Sequence, residues 1–133
     1  MPATDSGHRQ HVIVDVADQL FAAIERSDEA TLNELFSDDI AVWRVGARRD
    51  NDKERALKVL RWFIDVTAQR RYEILDRQLF SNGFVQQHIL HATGRNGSSI
   101  SLRVCIVIKL GLNDLISRID EYFDPAEVAP LLS

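Results

Sequence analysis

The chain of 133 residues has one cysteine, Cys105, so no internal disulfide can form, which fits a reducing compartment. Glycine numbers 6 and proline 3, far too few for a collagen-like or low-complexity chain. No apolar run approaches the roughly 20 residues that a bilayer-spanning helix needs. The opening residues Met1 to His8 lack the apolar stretch of a secretory signal. Positive charge is also in deficit, with 16 Lys and Arg against 20 Asp and Glu and a formal charge of -4. Generic nucleic-acid binding therefore lacks its electrostatic drive. These absences lead us to expect an acidic, cytoplasmic protein whose partners include neither nucleic acid nor membrane.

What is present is the balance of a folded domain, 45% hydrophobic and 27% charged. A chain of this length is expected to be one domain, residues 1–133, that can bury roughly two-thirds of its unfolded surface without a metal or disulfide. Residues 1–8 are expected as a flexible tail. From His11 to Ser27, Ile13, Val16, Ala17, Leu20 and Ile24 mark one face of a helix. Ser27-Asp28 can cap a short second helix carrying Leu32, Leu35 and Phe36. A short strand is expected over Ile40–Trp43. Asn51 and Glu54 resemble a capping box opening a third helix, whose apolar content predicts burial on most sides.

After Gln69 the pattern alternates. Four strands are expected, over Tyr72–Phe80, Phe84–Thr93, Ile100–Leu110 and Leu115–Phe123, separated by turns that include Asn82-Gly83 and Asn96-Gly97. Short connections make neighbours antiparallel, so helices followed by a four-stranded meander define an α+β fold.

Strand parity then locates chemistry, because alternate residues share a face. Ile100, Leu102, Val104, Ile106, Ile108 and Leu110 form a wholly apolar face that must meet the helices. Glu121 shares a face with Leu115, Ile119 and Phe123. Gln86 and His88 share one with Phe84, Leu90 and Ala92, although parity alone leaves that strand open to either orientation. If Gln86, His88 and Glu121 all point inward, they must bond one another, water or a ligand, since unpaired burial costs several kcal/mol. A histidine–carboxylate pair in an apolar cavity is suited to proton transfer. A satisfied core hydrogen bond is the alternative.

The segment Ile116-Ser117-Arg118-Ile119-Asp120-Glu121-Tyr122-Phe123-Asp124-Pro125-Ala126 resembles the closing strand of SnoaL-like proteins in the NTF2-like superfamily. Phe84-Val85-Gln86-Gln87-His88-Ile89-Leu90-His91, with the hairpin and strand that follow, resembles them too. The resemblance covers nearly the whole chain. It implies an NTF2-like cone, in which N-terminal helices pack on a curved antiparallel meander enclosing an apolar pocket, with a homodimer formed through the outer sheet face. It also favours the inward parity of Gln86 and His88.

Among relatives of that kind, the sequence is similar to ketosteroid isomerase, polyketide cyclases and limonene-epoxide hydrolase. The last carries an Arg-x-Asp where this chain has Gln86-Gln87-His88, and its second Asp falls at Glu121. Its water-positioning Tyr and Asn fall near Val42 and Arg44. The chain thus departs from that enzyme at the residues that open an epoxide and keeps the elements of general acid–base chemistry.

The resulting candidate site has Glu121 and His88 as the proton-transfer pair, with Gln86 orienting substrate or water. Trp43, Arg44, Phe84, Ile119 and Phe123 are the other expected substrate-binding side chains, while Trp62 is expected in the core. The spacing His8/His11 and the opposite-facing His88/His91 offer no metal site, and no cofactor is expected. Arg48-Arg49 and Arg70-Arg71 read as solvated loop charge. Three functions fit: a cofactor-independent isomerase, cyclase or dehydratase acting on an apolar or cyclic small molecule, a non-catalytic hydrophobic-ligand binder, or a structural dimer.

Overall fold

The computed structural model describes residues 2–132, with side chains from residue 7 onward. Helix α1 spans Pro2–Glu25 and turns Ile13, Ala17, Leu20, Phe21 and Ile24 into the core. Residues 2–8, expected as a tail, form its first turns. Proline is tolerated at a helix's first position, and an ion pair from Arg9 to Asp114 ties this end down. Ser27, at φ 61°, ends the helix in the left-handed region. Asp28 then caps α2 (Glu29–Leu35), accepting from the Thr31 backbone N–H at 3.1 Å and its hydroxyl at 2.7 Å. These bonds, with the neighbouring Arg26, hold the Asp28 carboxyl at about 2.

Strand β1 (Phe36–Arg44) is longer than the four residues expected. Helix α3 (Lys53–Val66) is capped by Asp52, whose side chain accepts from the Arg55 N–H at 3.0 Å. Asn51, the expected cap, is occupied elsewhere, since its backbone pairs with Val42 through bonds of 2.7 and 3.0 Å. Only Ala56 and Ile64 of α3 are buried. Leu57, Leu60 and Phe63 are only half-buried against the core, and Trp62 is 41% exposed where the sequence suggested core.

Strands β2 (Thr67–Phe80), β3 (Gly83–Gly94), β4 (Ser99–Leu110) and β5 (Ile116–Tyr122) form the expected antiparallel meander. β1 adds beside β5 in parallel, so the sheet is mixed, with order β1-β5-β4-β3-β2. The apolar face of β4 is buried throughout, each of its six residues at 7% exposure or less. A bulge at Ser117 shifts the pairing of β5, so Ile116 rather than Leu115 joins Ile119 inside. The first hairpin turns on Ser81-Asn82, and neither residue needs positive φ. Gly83 is required for another reason: a Cβ there would stand 2.0 Å from the Ile108 carbonyl oxygen.

Arg70 corrects the sequence reading most sharply. It lies in β2, 8% exposed, and its guanidinium donates to the Ile24 carbonyl at 2.8 Å and the Thr67 carbonyl at 3.2 Å. It therefore holds the C-terminal ends of α1 and α3 together, where helix carbonyls attract a cation.

Candidate functional site

Between the inner sheet face and α1, α3 and the C-terminal 3-10 segment (Pro125–Leu132) lies a cavity of about 320 Å³. Aliphatic side chains of β4 and the aromatic residues Phe21, Phe63 and Phe123 dominate its lining. Val59, Leu60, Trp62 and Phe63 of α3 also face this space, which explains how so apolar a helix can be so little buried. Its polar side chains are Arg44, Asn51, Tyr72, His88 and Glu121.

Strand alternation places these groups. Gln86 and His88 sit on the inward parity of β3, at 0% and 1% exposure. Gln86 Nε2 lies 2.9 Å from His88 Nδ1, and Arg77 Nε donates to Gln86 Oε1 at 2.7 Å. The Arg77 guanidinium also reaches Asp18 at 2.9 Å and lies over the Phe84 ring, 5.6 Å from its centroid. Burial first, and the Arg77 charge second, draw the His88 imidazole down to about 4, so it is neutral at physiological pH. The His88 ring is flanked by Tyr72 and Phe21, with centroids 5.0 and 5.4 Å away. Burial and the Glu121 carboxylate push the Tyr72 phenol upward, so it keeps its proton.

Glu121 does not meet His88. Ile106 of β4 lies opposite Glu121 on one side and Gln86 on the other, so a strand separates the two groups. Glu121 instead pairs with Arg44 Nε at 3.1 Å. The two proton-transfer candidates thus face one cavity without a direct hydrogen bond between them.

Of the other expected binding residues, Arg44, Ile119 and Phe123 line the cavity. Gln86 stands behind His88 rather than on the wall, and Phe84 is fully buried beneath Arg77. Trp43 points to the outer face, its ring 5.2 Å from that of Tyr122 and its indole N–H on the Ala47 carbonyl at 3.0 Å. Adjacent strand residues cannot share a face, so Arg44 inside requires Trp43 outside.

Sequence reasoning missed Tyr72, Arg77 and Asp18. A bulge at Leu75 hid the first two by switching the parity of β2 between them: Tyr72 pairs with Leu90 and Arg77 with Gln86, both inward partners.

This architecture is that of the SnoaL-like and NTF2-like proteins. A SnoaL-like protein from Shewanella denitrificans, described as a polyketide cyclase, superposes with TM-score 0.78 at 14% identity, covering 91% of this chain and 96% of its own. An LEH-like epoxide hydrolase of M. tuberculosis does so with TM-score 0.75 at 17% identity, covering 94% and 92%. An NTF2-like protein of unknown function from Burkholderia pseudomallei gives 0.77 at 15% identity, covering 92% and 98%. At these identities the likeness is one of fold. No family model and no curated protein matches the sequence.

Proposed function

We propose that the cavity holds an apolar or cyclic small molecule and that Glu121 and His88 carry out cofactor-independent proton transfer on it. The observation that supports this most is a neutral histidine and an arginine-paired carboxylate opening separately into one apolar space of about 320 Å³. Cavities of this size and lining suit small ligands. Separation suits the chemistry as well, because a base and a hydrogen-bonding partner act on different atoms of a substrate between them. Glu121, oriented by Arg44, removes a proton from carbon. His88 stabilises the negative charge that develops on the substrate's oxygen, and the proton returns at another position. Isomerisation needs only this transfer. In an aldol-type cyclisation the carbanion adds to a second carbonyl of the substrate and the proton goes to the new alkoxide; in dehydration the proton goes to the departing hydroxyl, which leaves as water.

The test follows deuterium entering β-tetralone, an apolar bicyclic ketone, from deuterium oxide. The wild-type chain should accelerate uptake next to the carbonyl, and Glu121→Gln should lose about a hundredfold or more of that acceleration. Its melting temperature should stay within about 3 °C, a shift equivalent to less than roughly 1 kcal/mol. Undiminished exchange in Glu121→Gln rejects the assignment.

The closed Arg44–Glu121 pair favours one second reading, in which the carboxylate only orients a bound ligand. A pure binder gives a melting temperature that rises with β-tetralone concentration and no accelerated exchange.

A further inference from the structure

Arg77 does not line the cavity, and its hydrogen bonds settle the proton position on a residue that does. A guanidinium has donors and no acceptor. The Gln86 atom facing Arg77 Nε at 2.7 Å is therefore the amide oxygen, and the atom facing His88 Nδ1 at 2.9 Å is the amide nitrogen. That nitrogen can only donate, so Nδ1 must accept. A neutral imidazole carries one proton, which then sits on Nε2.

His88 Nε2 makes no hydrogen bond to the described residues. Among those residues the only sealed side-chain nitrogen or oxygen without a partner is Arg77 Nη2. His88 Nε2 is thus not sealed, and the residue's open side is the cavity. The charged groups bonded into this network are Arg77 on β2 and, through it, Asp18 on α1.

We propose that Arg77 is a positioning residue: it pins the Gln86 amide, which holds His88 in its Nε2–H form and makes that wall of the cavity a donor for a neutral acceptor oxygen such as a ketone's. The ligand class rests on the small-molecule reading above; the proton position does not. Without Arg77, the Gln86 amide is free to rotate and offer its oxygen to Nδ1, which then becomes protonated in part of the population. The specificity of the cavity is in this way set from behind its wall.

The experiment records the ring-nitrogen NMR shifts of His88 in the full-length, isotope-labelled protein at neutral pH. The wild type should show a protonated Nε2 and a bare Nδ1. Arg77→Met should convert this to a mixture with a several-fold larger Nδ1–H fraction, and Arg77→Lys, which keeps the charge and a donor, should restore most of the Nε2–H form. Gln86→Met breaks the same link without touching the charge and should also yield a mixture, so the link stays testable if Arg77→Met does not fold. An Nδ1–H wild type, or an unchanged ring in either folded variant, overturns the proposal.

Adding β-tetralone to the wild type should shift the Nε2–H resonance, whereas tetralin, the same skeleton without oxygen, should not. Equal shifts with both compounds, or a shift with neither, overturn the ligand class. A failed deuterium-exchange test would remove the catalytic reading and leave the ring-nitrogen result standing.

Discussion

A neutral buried histidine makes the stability of this protein depend on pH. The unfolded chain binds a proton at His88 near the ordinary 6.5, whereas the folded chain, through burial and the Arg77 charge, does so only near 4. Between those values the unfolded state binds more protons, so stability falls as pH falls through that window and levels off below it. The shift corresponds to about 3 kcal/mol in full. We expect the urea midpoint to drop between neutral pH and about pH 4, and His88→Gln to lose about that share of the drop. An identical pH slope in wild type and His88→Gln would reject the neutral-histidine assignment. His88 was legible from parity together with the family resemblance. Its partners were not, because Arg77 lies 11 positions upstream in a strand whose alternation is interrupted.

At the scale of elements, the sheet holds four of the cavity's five polar side chains, Arg44, Tyr72, His88 and Glu121, and Arg70 holds the helices over it. Its guanidinium satisfies carbonyls at the ends of both α1 and α3, with hydroxyl contacts to Thr67 and Ser27. Arg70→Met removes the donors and leaves buried carbonyls unpaired, which should cost about 3 kcal/mol in chemical denaturation. Arg70→Lys should recover little, since an ammonium cannot reproduce the planar fork. A change below about 0.5 kcal/mol for Arg70→Met would show that the clamp is not a structural requirement. The helices and strands themselves could be recognised from period and turn residues. The irregular alternation of Tyr72–Phe80 hinted at a bulge, but the positions of the bulges at Leu75 and Ser117 could not be read, because an extra residue leaves composition unchanged while reversing which side chains face inward.

At the scale of the whole molecule, the outer sheet face presents a partly apolar strip. Val85, Ile89, Cys105 and Val107 are all only partly exposed there, and Val85 stands opposite Val107 across β3 and β4. We propose that this strip pairs two copies, as the family resemblance implies. Sedimentation at micromolar concentration should then give twice the 15.1 kDa chain mass, and Val107→Arg should return the monomer. A monomeric wild type would reject the pairing. No helix among the described residues is long and apolar enough to cross a membrane.

Sequence alone determined the α+β class, the meander, the inward face of β4 and the place of Glu121 among apolar neighbours, because periodicity and turn chemistry are local, while the inward side of His88 came from the family resemblance. Only the tertiary structure decided that Glu121 belongs to Arg44, that Trp43 faces away, and that α3 is apolar because it lines a cavity. It also decided that Arg77 stands behind His88. Each of these depends on which residues meet across strands, and a single inserted residue in β2 or β5 changes those meetings without marking its own position in the sequence.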